Sequence, residues 1–155
     1  LGFLTQLAEE IKVAIRRAKG REILFRLNGT SDLGFLELLK KYGLFDYEQT
    51  PDNVMFYDYT KVEQRAYKYV NSKKYHLTFS RSGENDAEVL KMLELGGNVS
   101  VVFKGKFPET YLGNKVVDGD ISDIEMIKHK GVVLGLKAKG ETRKIKSSFV
   151  VDTTI

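Results

Sequence analysis

Apolar residues recur along the chain with two different spacings, which predict alternating helices and strands. The first group has helical spacing and ends before Gly20: Leu4, Leu7, Ile11, Ala14, Ile15 and Ala18. Five short apolar runs then follow at residues 23–28, 54–59, 75–80, 99–103 and 132–137. Their length and their flanking turn residues are typical of buried strands, and a further β segment is expected at 149–151.

Helix signals separate these predicted strands. Ser31 is predicted to cap a helix that carries Leu36 and Leu39 and that ends at Gly43. Thr60 and Glu63 have the spacing of a capping box and predict a helix through about residue 70. Further helices are expected from residue 85 to the glycines at 96–97 and over 122–128, with loops at 46–53 and around residue 108.

This alternation predicts the fold class. Strands separated by helices are typical of βαβ units, so we expect an α/β fold with a mostly parallel sheet of five or more strands and flanking helices. The chain of 155 residues is too short for a complete eightfold barrel of roughly 250 residues. An open doubly wound sheet and a partial barrel both fit, and we expect a partial (incomplete) barrel. No linker is visible, so residues 1–155 are predicted to be a single domain. Because the chain starts with Leu rather than Met, we also expect a fragment or a shortened protein.

Polar residues collect where the predicted strands end, which is where parallel sheets place their ligand sites. In the first strand, alternation puts Arg26 and Asn28 on the face opposite Ile23 and Phe25. The same reasoning along the chain selects the candidate ligand-binding residues Arg26, Asn28, Thr30, Ser31, Tyr57, Thr78, Ser80, Arg81, Lys137 and Lys139. Arg26 and Lys137 are expected to contact an anionic group. Asp58, the candidate catalytic residue, is expected to balance their charge or to act as a base.

Composition and charge narrow the candidate chemistry. The 25 Lys and Arg residues against 21 Asp and Glu residues give a net charge of +4, which is compatible with an anionic partner. The chain contains no cysteine, which excludes disulfides, cysteine nucleophiles and iron–sulfur clusters held by this chain. The apolar runs are far shorter than the roughly 20 residues of a membrane-spanning helix. We therefore expect no membrane partner and a cytoplasmic location, which for a phage-encoded protein is the host cytoplasm.

Other motifs give weaker signals. Asp118, Asp120 and Asp123 could belong to a cation-binding loop, but turn chemistry explains them equally well and no metal site is predicted. The two histidines, His76 and His129, are far apart in the sequence and have no neighbouring ligands typical of zinc. Phosphate-loop, dinucleotide-binding and nucleophile-elbow motifs are missing. The cofactor and the reaction therefore stay open, as does whether the protein is an enzyme.

The basic carboxyl-terminal third suggests an alternative function. It contains Lys128, Lys130, Lys139, Arg143 and Lys144, which could follow a phosphate backbone if they share one surface. The alternative is a nucleic-acid-binding accessory protein of a phage or plasmid, although a solvated surface is the commoner reason for such a run. A structural or host-interaction protein would instead expose a large apolar patch.

Several blocks of sequence resemble a known family. In chain order they are Arg26-Leu-Asn-Gly-Thr-Ser-Asp32, Phe56-Tyr-Asp-Tyr-Thr-Lys61, Tyr75-His-Leu-Thr-Phe-Ser-Arg-Ser82, Pro108-Glu-Thr-Tyr-Leu-Gly113, Asp118-Gly-Asp120 and residues 131–140. Over about residues 22–152 the chain resembles the phage gene-product-eighty-eight-like family of mobile-element proteins.

The resemblance implies little about function. It implies a partial barrel. It also implies family members with a cysteine-bearing section before these blocks, and that section is distantly similar to partial-barrel radical enzymes that use S-adenosylmethionine. Without cysteine this chain cannot hold their cluster. We therefore expect its activity to depend on a partner chain, on self-association (a homo-oligomer) or on an upstream segment.

Overall fold

A computed structural model describes residues 1–29, 31–140 and 147–154. It contains five α-helices: α1 (Gly2–Ala18), α2 (Phe35–Lys41), α3 (Glu63–Tyr69), α4 (Asp86–Glu94) and α5 (Glu125–Lys128). A 3₁₀ turn, η1, spans Tyr47–Gln49. The strands are β1 (Ile23–Phe25), β2 (Val54–Thr60), β3 (Tyr75–Ser80), β4 (Val99–Lys104), β5 (Thr110–Tyr111), β6 (Asn114–Asp118), β7 (Val133–Lys137) and β8 (Val150–Asp152).

The chain forms two compact units. Unit 1 consists of residues 1–58 and 72–75, and unit 2 of residues 59–71 and 76–155. Both β2 and β3 contribute residues to each unit, so the division does not follow a linker.

Unit 1 combines a parallel strand pair with two helices. Strands β1 and β2 run parallel, with Phe25 opposite Phe56. These two rings stack at 5.3 Å, and the Tyr47 ring of η1 meets the Phe56 ring edge-on at 6.3 Å. Buried Leu36 and Leu39 of α2 and buried Ala8 and Ile11 of α1 add to the apolar interior of this unit. Aromatic packing therefore holds β2 at the centre of unit 1.

Unit 2 is built around β4. Its strands are hydrogen-bonded side by side in the order β3, β4, β7, β6 and β5, and β8 also pairs with β4. Strand β4 runs parallel to β3, β7 and β8, and β6 runs parallel to β7. Only β5 and β6 are antiparallel among the described pairs. The buried residues that form its core come from α4, from one face of β4 and from their neighbours: Ala66, Phe79, Val89, Met92, Leu93, Val99, Val101, Phe103 and Val133.

The prediction of an α/β fold with mainly parallel strands and flanking helices is confirmed. Strand β1 is shorter than predicted, ending at Phe25 rather than at residue 28, because the chain turns there to form the loop described below. Helix α2 begins after Gly34, not after Ser31, and the helix predicted from Thr60 begins at Glu63. Thr60 instead accepts a hydrogen bond from the backbone N–H of Val62 at 3.0 Å.

A hairpin was not predicted in the stretch after Pro108. Strands β5 and β6 are joined by Leu112 and Gly113, whose φ angles are 52° and 78°. Such a turn is usually marked by Asn-Gly, because few side chains tolerate a positive φ. Leu-Gly carries no such signal, which is why the sequence indicates a loop at this position. Within the described ranges, none of the helices has the length and apolar character needed to cross a membrane.

Candidate functional site

In unit 1, a buried carboxylate of β2 lies beside the arginine that directly follows β1. The Asp58 side chain is 2% exposed and that of Arg26 is 33% exposed, with 3.4 Å between Asp58 Oδ1 and Arg26 Nε. The backbone N–H of Asn28 donates to Asp58 Oδ2 at 3.1 Å. Because β1 and β2 are parallel and in register, the residues after Phe25 meet those after Phe56. The strand pairing thus positions both charges.

Asn28 organises the loop that follows Arg26. It is 2% exposed, and its Nδ2 donates to the carbonyl of Leu33 at 2.7 Å. Its Oδ1 accepts from the hydroxyl of Ser31 at 2.8 Å and from the N–H of Leu33 at 3.2 Å. Ser31 therefore closes this loop and does not cap a helix. Thr30, another predicted site residue, lies outside the described residues.

The negative charge of buried Asp58 is compensated by its neighbours. Burying a carboxylate this deeply costs free energy unless an opposite charge or hydrogen bonds compensate it. Here the guanidinium of Arg26 and the backbone N–H of Asn28 do so. The guanidinium also donates to the carbonyl of Asn28 at 3.2 Å, which fixes its orientation. A third of the Arg26 side chain reaches solvent, so an anion can approach it. Neighbouring Tyr57 is half-buried in β2.

The remaining predicted site residues belong to unit 2. Thr78 is buried, at 1% exposure. The hydroxyl of Ser80 accepts from that of Ser100 at 3.2 Å, because Ser80 and Ser100 are register partners of β3 and β4. Sequence reasoning did not select Ser100, although a serine within the apolar run of β4 is an unusual residue there.

Arg81 holds the chain that leads into β8. Its side chain is 7% exposed and pairs through Nε with Asp86 at 2.8 Å. Its Nη1 donates to the carbonyls of Ser148 at 2.6 Å and Phe149 at 3.3 Å. The Tyr111 ring lies 6.0 Å away, and burial raises the pKa of the Tyr111 phenol, although the charge of Arg81 opposes that rise. A ligand at Arg81 would have to displace these contacts.

The two predicted lysines lie on the surface of unit 2. Lys137 Nζ donates to the carbonyl of Gly105 and lies 4.1 Å from the Phe107 ring centre. Lys139 Nζ is 3.5 Å from Asp120, whose other oxygen accepts from the backbone N–H of Lys137 at 2.7 Å. Asp120 therefore anchors the end of β7. Among the described residues, no cluster of His, Asp and Glu has the three members needed to hold a metal.

The predicted basic region and the groove of unit 1 do not include the Arg26–Asp58 pair. Arg143 and Lys144 of the basic region lie outside the described residues, whereas Lys128, Lys130 and Lys139 are exposed. An open groove of about 790 Å³ in unit 1 is lined by α1 and by Arg21–Ile23. This groove lies at the amino end of β1 and does not include Arg26, Asn28 or Asp58.

Comparison with known proteins gives a match at the level of a family. A family model described as Gene product 88 matches residues 1–153. No curated protein and no solved structure matches the chain. The family match extends the sequence resemblance, which covered about residues 22–152, to include helix α1.

Proposed function

Because this chain belongs to the Gene product 88 family, whose description names no activity, we propose its function from the geometry: unit 1 binds a small anionic ligand. The ion pair between Arg26, which follows β1, and Asp58, which lies near the carboxyl end of β2, supports this proposal. Arginine binds carboxylates and phosphates through two parallel N–H donors, and it does so best when its plane is fixed in advance. The Nε–H of Arg26 is shared between Asp58 and the Asn28 carbonyl, which restricts the orientation of the guanidinium.

Thermal stability in the presence of anions tests this proposal. The probes are inorganic phosphate, a dicarboxylate and a nucleoside monophosphate, each titrated against the full chain. A bound anion stabilises the folded state by about 2.7 kcal/mol at a concentration of 100 Kd. Arg26→Gln should abolish the stabilisation. The matched control is Arg16→Gln, an exposed arginine on α1 that should leave it intact. Stabilisation that survives Arg26→Gln, or no stabilisation by any of these probes, contradicts the proposal.

Asp58 has two alternative roles in this proposal, and one substitution separates them. If Asp58 only balances the charge of Arg26, Asp58→Asn keeps or tightens anion binding, because the competing carboxylate is gone. If Asp58 acts as a base, Asp58→Asn keeps binding but removes turnover of the bound ligand. Binding and product formation are measured on the same samples. Loss of anion binding in a folded Asp58→Asn protein would contradict both roles.

An incomplete barrel belongs to the same proposal. Parallel βα units place their ligand sites at the carboxyl ends of their strands. Arg26 follows the last residue of β1, and Asp58 lies two residues before the last residue of β2. An experimental structure of the full chain tests it. Strands that curve progressively around one axis support the barrel, whereas a flat or evenly twisted sheet contradicts it.

The alternative function is binding of a nucleic acid through unit 2. It is favoured by the exposure of Lys128, Lys130 and Lys139, and weakened by the carboxylates of Glu125 and Asp120, each 3.5 Å from one of these lysines. Fluorescence anisotropy with single- and double-stranded DNA over a range of salt concentrations tests it. Binding to a phosphate backbone must weaken steeply as salt rises, and Lys130→Gln should lower the slope. Binding that is insensitive to salt, or none at low salt, contradicts this alternative.

A further inference from the structure

A stripe of helix α1 lines the groove of unit 1 and lies beside the face that α1 buries, with Ala18 belonging to both. The buried face contains Ala8, Ile11 and Ala18. The stripe is built from residues on the neighbouring flank of the helix: Gln6, Glu9, Glu10, Val13, Ala14 and Arg17. Glu9 is paired with Lys12 of the same helix at 3.2 Å, so Glu10 is the acid of the stripe without an ion pair among the described residues. Glu10 and Arg17 are exposed, and Val13 and Ala14 are half-buried. Phe3, seven residues before Glu10, is 65% exposed beyond the groove, and its ring lies 5.8 Å from that of Phe35 of α2. Apolar surface in this stripe is therefore left open.

Charge is distributed along this stripe in a regular order. Glu10 lies in its amino-terminal half, Arg17 in its carboxyl-terminal half, and the small apolar residues Val13 and Ala14 lie between them. Within the described residues the guanidinium of Arg17 has no ion-pair partner, and Glu10 accepts a hydrogen bond only from Gln6, at 3.0 Å. The groove also contains Glu22 and Arg21, so both signs of charge line it. Such a surface suits neither a small anion nor a polyanion.

We propose that this groove is a self-complementary interface, in which α1 of a second copy of this chain lies antiparallel across α1. A two-fold axis between Val13 and Ala14 pairs each residue i with residue 27 − i of the other copy. Within α1 this register makes Glu10 face Arg17 of the second copy twice. Arg21 follows the end of the helix, and its guanidinium donates to the carbonyls of Ala18 and Arg17 of its own chain. Val13 and Ala14 meet at the axis, where small side chains let two helices approach to about 8 Å. Symmetric interfaces of this type use one patch on both subunits, which an ordered acid–apolar–base stripe provides.

Charge reversal tests this interface on the full chain. Sedimentation velocity and light scattering over a wide concentration range should show a dimer. Arg17→Glu puts a carboxylate opposite Glu10 of the other copy at both ends of the stripe and should weaken dimerisation about tenfold or more, because like charges at an interface repel. The double variant Glu10→Arg with Arg17→Glu exchanges the charges and should restore the dimer. The control Arg16→Glu makes the same charge change outside the groove and should have no effect.

Disulfide cross-linking provides a second measurement that does not depend on a charge change. The chain has no cysteine, so a single introduced thiol is unique. Val13→Cys lies beside the axis and should form an intermolecular disulfide on mild oxidation, because bridged residues need Cα atoms within about 7 Å. Arg16→Cys, on another side of the same helix, should not. A chain that is monomeric at all concentrations overturns the proposal, and leaves the groove to another protein segment. A dimer that tolerates Arg17→Glu and does not cross-link through Val13→Cys also overturns it, because its interface lies elsewhere.

Discussion

Asn28 shows how one side chain sets the shape of the candidate site. Its amide connects with the backbone of Leu33 in both directions and with the hydroxyl of Ser31. The sequence selected Asn28 as a ligand-binding residue because it follows a predicted strand. Its contacts give it a structural role in holding the loop beside Arg26, and any contact with a ligand stays a prediction.

We expect Asn28→Ala to destabilise the protein by about 1–3 kcal/mol, because it removes three hydrogen bonds of one side chain and leaves the N–H of Leu33 without its partner. The carbonyl of Leu33 keeps a second donor, the N–H of Phe35 at 3.0 Å. Asn53→Ala is the matched control. The Asn53 amide makes a single hydrogen bond, to the carbonyl of Arg21 at 2.9 Å, in an exposed position. Its loss should cost well under about 1 kcal/mol. Urea unfolding of both variants measures the difference, and equal losses would contradict the assigned role of Asn28.

At the scale of elements, β8 is attached to unit 2 by close backbone contacts. It pairs with β4 at Val102–Lys104, beyond the residues that pair with β3. Gly83 allows this approach, since a Cβ added there would lie 2.5 Å from the carbonyl carbon of Ser148. Its φ of 94° also favours glycine. Gly83 and the hydrogen bonds of Arg81 therefore hold the segment that leads into β8 against the loop after β3.

We expect Gly83→Ala to destabilise the protein by more than the roughly 1 kcal/mol that a positive φ alone costs an alanine. Gly113→Ala is the control, because Gly113 has a φ of 78° but no atom within 4 Å of an added Cβ. Hydrogen exchange should show faster exchange of the β8 amides in Gly83→Ala than in Gly113→Ala. The same exchange rate in both would show that the contact with Ser148 does not hold the strand.

Helix α5 supplies a prediction about pH. A hydrogen bond from His129, with 3.0 Å between His129 Nε2 and Glu125 Oε2, holds the pKa of Glu125 below its ordinary value of 4.5, and the charge of Lys128 adds to the effect. A carboxyl whose pKa is lowered by folding stabilises the folded state above its unfolded pKa and loses that contribution as pH falls through its folded pKa. The stability difference between wild type and Glu125→Gln should thus be constant near neutral pH and shrink below pH 4.5. Urea unfolding at a series of pH values measures it. A difference that does not change down to full protonation would contradict the role of this pair.

At the scale of the whole molecule, two strands have residues in both units. Strand β2 is divided after Asp58 and β3 after Tyr75. Within unit 1, the N–H of Phe56 donates to the carbonyl of Lys74 at 2.9 Å. Residues 72–75, which follow a stretch assigned to unit 2, therefore complete unit 1. The sequence predicts a single domain, which stays a prediction about how the chain unfolds.

We expect one cooperative thermal transition with equal calorimetric and van't Hoff enthalpies, because melting either unit breaks strands that also belong to the other. A truncated chain that ends at Asp58 should not fold, since it lacks the residues 72–75 that unit 1 contains. Calorimetry of the full chain and circular dichroism of the fragment test this. Two resolved transitions, or a folded fragment, would contradict the single domain.

The sequence by itself determined where the main strands and helices lie and that most strands are parallel. The spacing of apolar residues indicates which side of a helix or strand is buried, because apolar side chains are removed from water on folding. The apolar runs at β2, β3, β4 and β7 show this spacing clearly. The position of Asp58 after an apolar run likewise marked it as a polar residue at a strand end.

Only the tertiary structure decided which distant residues meet. The sequence indicates that Arg81 is a cation at the end of a strand. Its partners include the carbonyls of Ser148 and Phe149, which are 67 and 68 residues away and which no local pattern predicts. The β5–β6 hairpin depends on a Leu-Gly turn whose conformation the neighbouring strands impose. The stripe on α1 was visible as charged residues, but only the packing of Ala8 and Ile11 showed which flank stays open. Local sequence sets which face of an element is apolar, whereas long-range packing determines what that face meets.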